Sequence, residues 1–67
     1  MKVGDIVYVV NAKTNRLDVW VFDGYMIMPN GAYCRLVKGK NFCILPKQCV
    51  FKSKVRALKV LKKKFFN

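Results

Sequence analysis

The chain has no histidine and no glutamate, and its only acids are Asp5, Asp18 and Asp23. General acid–base catalysis needs a group whose pKa is near neutrality or tuned toward it. The three aspartates are 13 and 5 positions apart and form no pair. A cysteine nucleophile needs a base beside it to make thiolate, and only lysine is on offer. Apart from tyrosine, the hydroxyls are Thr14 and Ser53 alone. The sequence therefore predicts a protein that is not an enzyme, with no catalytic residue, no cofactor and no small-molecule substrate.

Metal-ligand spacing is also missing. Cys34, Cys43 and Cys49 have eight and five residues between them, unlike the close Cys pairs of structural zinc, and no imidazole completes a set. They read as small apolar fillers in strands, and no metal site is predicted. No apolar run approaches the roughly 20 residues that span a bilayer. The opening Met1-Lys2-Val3-Gly4-Asp5 turns polar at once, unlike a signal peptide. An odd cysteine count does not describe a disulfide framework. Together these predict a soluble, cytoplasmic protein without a membrane span.

After Asp23 negative side chains are absent altogether. Residues 1–23 hold Lys2, Lys13 and Arg16 against the three aspartates, so the whole net charge of +11 falls in residues 24–67. Seven of those eleven bases lie in residues 52–64. Charge this one-sided costs stability through self-repulsion and attracts polyanions. The 67 residues make one domain, and an apolar content of 54 % predicts that it folds.

Along the chain, Ile6–Val10 is β-branched and aromatic, the composition of a strand. Leu17–Phe22 alternates, with Leu17, Val19 and Val21 on one face and Asp18, Trp20 and Phe22 on the other. Asp23-Gly24 fits either a tight hairpin turn, pairing Phe22 with Tyr25, or a kink in one long strand. Pro29-Asn30-Gly31 and Lys38-Gly39-Lys40 are turns. They bound Tyr25–Met28, Ala32–Val37 and Asn41–Leu45. Pro46 ends the last of these, because it cannot donate to a ladder. Pro46-Lys47-Gln48 fits one 3₁₀ turn before a short strand, Cys49–Phe51. Short strands with turn signals about every eight residues predict a small barrel or rolled sheet. A two-residue turn at Lys38-Gly39 would place Cys34 across from Cys43.

The period then changes. Ser53 fits an N-cap. Ala57, Leu58, Leu61 and Phe65 form an apolar helical stripe, with Lys52, Arg56, Lys59 and Lys63 opposite. Lys54 and Arg56 have the wrong sign for a helix N-terminus, where acids are favoured by about 0.3–1 kcal/mol each.

These features resemble the close of an SH3-like barrel: a strand, Leu45-Pro46, a 3₁₀ turn and a short strand. Gly4-Asp5-Ile6-Val7-Tyr8 and the tail Phe51, Ser53 and Ala57 are similar to small uncharacterised phage and bacterial proteins. Those chains open on a Gly-Asp-x-Val-Tyr strand and end in a Phe-x-Ser/Thr-x-x-x-Ala helix. Where they carry two acids after the cap, this chain has Val55 and Arg56. The resemblance implies a mainly β fold: an SH3-like barrel of about five antiparallel strands over residues 1–52, with a C-terminal basic amphipathic helix over 53–66. It also implies the host cytoplasm as location if the protein is phage-encoded. SH3-like folds bind nucleic acid, peptides or proteins, so the fold does not choose a function.

The basic residues choose a class of partner. Lys52, Arg56, Lys59, Lys62 and Lys63, extended by Arg35, Lys38 and Lys40, predict a surface for nucleic-acid phosphates with low sequence specificity. Trp20 and Phe22, if exposed, would stack bases or anchor a protein partner. The alternative is an interaction factor that docks on an acidic protein through the basic helix and this aromatic face. A homodimer hiding that face is a third reading.

Overall fold

The computed structural model describes residues 1–66, with side chains as far as Lys63. The strands are β1 (Ile6–Asn11), β2 (Arg16–Met28), β3 (Gly31–Lys38), β4 (Asn41–Pro46) and β5 (Val50–Phe51). A 3₁₀ turn, Lys47–Cys49, joins β4 to β5, and the helix α1 (Lys54–Phe66) follows. All strands belong to one antiparallel sheet in the order β4-β3-β2-β1-β5. The mainly β, SH3-like expectation holds at this level: five antiparallel strands and one C-terminal helix. The sheet is open rather than closed, because β4 and β5 are its two edges.

Asp23-Gly24 is a bend within β2 and not a hairpin turn. Phe22 pairs with Leu36 and Tyr25 with Cys34, so Asp23 and Gly24 together oppose the single residue Arg35. Two residues against one is a β-bulge, which bends and twists a strand. Gly24 has φ of +126°, a conformation that side chains resist. The tight-turn pairing of Phe22 with Tyr25 is thereby excluded. The bend leaves both rings on one face, in edge-to-face contact with centroids 4.8 Å apart. It also lets β2 serve two neighbours, β1 through Arg16–Val21 and β3 through Val21–Met28.

The concave face of the curled sheet holds the core. Val7, Phe22, Cys34, Leu36 and Val50 are buried there, with Met1, Val9, Trp20, Cys43 and Leu45 packed around them. Registers such as Val7↔Trp20, Phe22↔Leu36 and Leu36↔Cys43 place them on one side. Burying a side chain the size of Leu or Phe contributes roughly 1.5–3 kcal/mol.

The turn between β3 and β4 is one residue later than predicted. Lys38 pairs with Asn41, leaving Gly39-Lys40 as the two turn residues, and Gly39 has φ of +59°. Glycine with positive φ at the first central position is the type II′ hairpin requirement. Cys34 consequently faces Leu45, and Cys43 faces Leu36. The predicted Cys34–Cys43 opposition is corrected by that register, and all three thiols are free.

Ser53 caps α1 as predicted, accepting a hydrogen bond at Oγ from the Arg56 N–H at 3.4 Å. Ala57 is fully buried yet lies outside the core cluster. Val60, missed in the predicted stripe, lines a small recess with Val10 and Phe51, on the face of β1 and β5 opposite the core. The helix thus covers the convex face over β1, β2 and β5. Leu58 is a marginal member of the stripe and is exposed. Phe65 lies outside the described side chains.

Asp5 ties the start of the chain to the start of the helix. Its carboxylate accepts the Lys2 backbone N–H at 2.8 Å and pairs with Lys52 Nζ at 3.6 Å. That backbone hydrogen bond, followed by the charges of Lys52 and the N-terminus, holds its pKa below the ordinary 3.8. A lowered carboxylate pKa gives stability that is complete above the unfolded value and is lost as pH falls through the folded one. Thermal melts between pH 2 and 6 should therefore show a steeper acid limb in the wild type than in Asp5→Asn. Parallel curves would sink this linkage.

Candidate binding surface

Arg56, Lys59, Lys62 and Lys63 are exposed along α1. At 100° per residue, Arg56, Lys59 and Lys63 fall on one side of the helix, with Lys62 beside them. Among the described residues none of these four pairs with an acid. The first turn of α1 holds no acid either.

The other predicted phosphate contacts are arranged differently. Lys52 is bridged to Asp5, and Arg35 Nε lies 3.1 Å from Asp23 Oδ2. These two aspartates from the N-terminal third meet bases of the acid-free half, so folding mixes charges that the sequence separates. The third, Asp18, accepts a hydrogen bond from Asn11 Nδ2 at 3.0 Å. Exposed ion pairs of this kind are worth about 0–1 kcal/mol. They do lower the free charge that Lys52 and Arg35 can offer. Arg35 also lies over the Phe42 ring, 5.2 Å from its centroid.

Lys38 points to the other side of the sheet, with Nζ 4.9 Å from the Trp20 ring centroid. Lys40 occupies the β3–β4 turn. The eight predicted bases therefore divide. Four run along α1, one is tied to the N-terminal turn, one is on the convex face of β3, and two are around the β3–β4 hairpin. A single surface of all eight does not form.

The aromatic pair divides as well. Trp20 is half-buried at the edge of the core beneath Lys38. Phe22 is 2 % exposed, at the centre of the core. Its role as a base-stacking or partner-anchoring ring is corrected: Phe22 packs with Val7, Cys34, Leu36 and Val50 on the buried face of the sheet.

The apolar side chains left exposed are elsewhere. On the convex face Ile6 pairs with Val21, Val21 with Val37 and Val37 with Phe42, forming a continuous row across four strands. Phe42 is 61 % and Ile6 50 % exposed, with Val19 and Ile44 also open. The sequence did carry a signal for this row. Ile6–Val10 and Phe42–Leu45 are uninterrupted apolar runs, the pattern of strands covered on both faces. α1 covers the convex face of β1, and nothing among the described residues covers that of β4.

The thiols differ in access. Burial pushes the Cys34 and Cys43 thiols up from their ordinary value, whereas Cys49 is exposed. A disulfide reagent at neutral pH should modify Cys49 first, Cys43 more slowly, and Cys34 only on unfolding. Rapid native-state labelling of Cys34, read by peptide mass, would contradict its place in the core.

Among the described residues no helix is long and apolar enough to cross a membrane. Compared with protein-family models, with curated proteins and with solved structures, the chain finds no significant match. Its function must be read from its own residues.

Proposed function

We propose that the protein is a non-enzymatic binding module for nucleic acid, acting in the cytoplasm and contacting phosphates along α1 without strong sequence preference. The observation that carries this reading is the row of four exposed bases, Arg56, Lys59, Lys62 and Lys63, with no acidic partner among the described residues. Two further features support it. Bases in the first helical turn oppose the macrodipole, so folding does not account for them. Exposed backbone-directed cations need no precise geometry to release counterions.

Four phosphate contacts predict that log K falls against log salt with a slope of about −3.6 on duplex DNA and about −2.8 on single strands. Titrating labelled duplex DNA and single-stranded RNA with the protein at several salt concentrations measures both. Absence of binding at low salt, or a slope near zero, would sink the proposal. Kinship with the small phage and bacterial proteins is a further proposal, resting on the Gly4–Tyr8 and Phe51–Ala57 motifs.

The acidic-protein alternative shares the helix surface but loses Phe22 as an anchor. The apolar row on the convex face is the observation that keeps a protein partner in view, at a different place.

A further inference from the structure

The open edge of the sheet is built unlike a protected one. Edge strands expose unpaired backbone groups, and proteins commonly blunt them with charges or proline inside the strand. The interior of β4, Asn41-Phe42-Cys43-Ile44-Leu45, carries no charge. Pro46 stands only at its end.

The type II′ turn decides which backbone groups are free. In a two-residue hairpin the residues flanking the turn exchange hydrogen bonds, and every second pair along the ladder repeats this. Lys38↔Asn41, Leu36↔Cys43 and Cys34↔Leu45 are therefore the bonded pairs. Phe42 and Ile44 direct their N–H and C=O groups away from β3, toward the open edge. The same residues present their side chains on the convex face, 61 % and 37 % exposed. Phe42 also ends the apolar row that begins at Ile6. Backbone valence and apolar surface thus coincide at two residues.

Charge identifies what fits there. Lys40 precedes the strand and Lys47 follows it, the latter with Nζ 5.5 Å from the Tyr25 ring centroid, and Arg35 lies one strand inward over Phe42. A second copy pairing antiparallel across this edge, Phe42 opposite Ile44, would set Lys40 across from Pro46 and so next to Lys47 at both ends, in a chain of net charge +11. That arrangement opposes self-association. A strand with apolar residues at alternate positions and an acid at each end would satisfy all three features.

We propose that β4 is a docking edge for an extended segment of another protein, apolar at alternate positions and acidic at its ends, which adds to the sheet as a sixth strand beside Phe42 and Ile44. Main-chain hydrogen bonds would supply affinity, and the exposed Phe42 and Ile44 side chains and the flanking lysines would supply selectivity. This site is separate from α1.

The test uses isotope-labelled full-length protein and the capped peptide Asp-Thr-Val-Thr-Val-Thr-Asp, with Lys-Thr-Val-Thr-Val-Thr-Lys as its counterpart. The acidic peptide should shift the amide signals of Phe42 and Ile44 and slow their hydrogen exchange. The lysine-ended peptide should bind at least tenfold more weakly. Ile44→Pro removes one outward N–H that the sheet does not use, and should weaken binding at least tenfold while the amides of β1 and β2 keep their positions. Should that variant misfold, Phe42→Lys makes the same test by placing a charge on the edge. Equal binding of both peptides, shifts confined to α1, or unchanged binding by the folded edge variant would overturn the proposal. Concentration-dependent dimerisation of the free protein, lost in the same variant, would overturn it in favour of a second copy. Salt-dependent binding of nucleic acid should be unaffected by Ile44→Pro, so failure here is distinguishable from failure of the helix surface.

Discussion

Lys59→Ala/Lys63→Ala should halve the salt slope for duplex DNA, from about −3.6 to about −1.8. At 0.1 M salt, counterion release alone makes two lost contacts worth about 60-fold in affinity. The substitution is a clean probe because it does not endanger the helix. Both side chains are exposed. Alanine is the stronger helix former, and removing two like charges four residues apart relieves a small repulsion. Fold stability should therefore be unchanged or slightly raised. A double variant that binds as the wild type does, with the same slope, would show that phosphates are contacted elsewhere. The control is Lys38→Ala, on the other side of the sheet from α1, which should change affinity and slope little.

Phe22→Ala should destabilise the fold by about 3–5 kcal/mol, the usual cost of emptying a fully buried aromatic site. A domain of this size has only roughly 3–10 kcal/mol in total. Each kcal/mol moves the melting temperature of a small domain by about 4–8 °C, so the loss should exceed about 12 °C. Circular dichroism melts of both proteins measure it. The result separates two roles for one ring. A core residue loses stability when truncated, and binding fails only because the fold does. A stacking ring would lose binding while the melt stays where it was. The second outcome would contradict the placement of Phe22 inside the sheet.

Much of the architecture was legible because it depends on local chemistry. The strands follow β-branched and aromatic runs. Gly24, Gly31 and Gly39, all with positive φ, stand where the chain bends or reverses. The change from a two-residue to a 3.6-residue period after Ser53 marks the helix, and the Ser53 hydroxyl meets the Arg56 N–H as capping requires. The β3–β4 turn falls at Gly39-Lys40 and not at Lys38-Gly39, for a definite reason. Lys38-Gly39-Lys40 permits two placements of a two-residue turn, and only pairing with β3 across the sheet selects one. That single step moved Cys34 from opposite Cys43 to opposite Leu45.

The candidate sites were less legible. Alternation in β2 separates Trp20 and Phe22 from Val19 and Val21, but alternation does not say which face turns inward. Both faces of β1 and β4 are apolar, so hydropathy could not decide either. The choice came from packing between strands far apart in sequence, which gathers Val7, Phe22, Cys34, Leu36 and Val50 on one side, and from α1, which covers only part of the other.

Sequence alone determined which chemical groups the chain carries: no imidazole, no glutamate and no acid after Asp23. These are properties of composition and need no fold. It also determined the mainly β architecture and the terminal helix, because turn chemistry and periodicity act over a few residues. Only the tertiary structure decided where the charge is free. Asp5 and Asp23 lie far from Lys52 and Arg35 along the chain, and contact between them depends on sheet register. It likewise decided that Phe22 is core and Phe42 is surface, because burial depends on the direction in which the whole sheet curves.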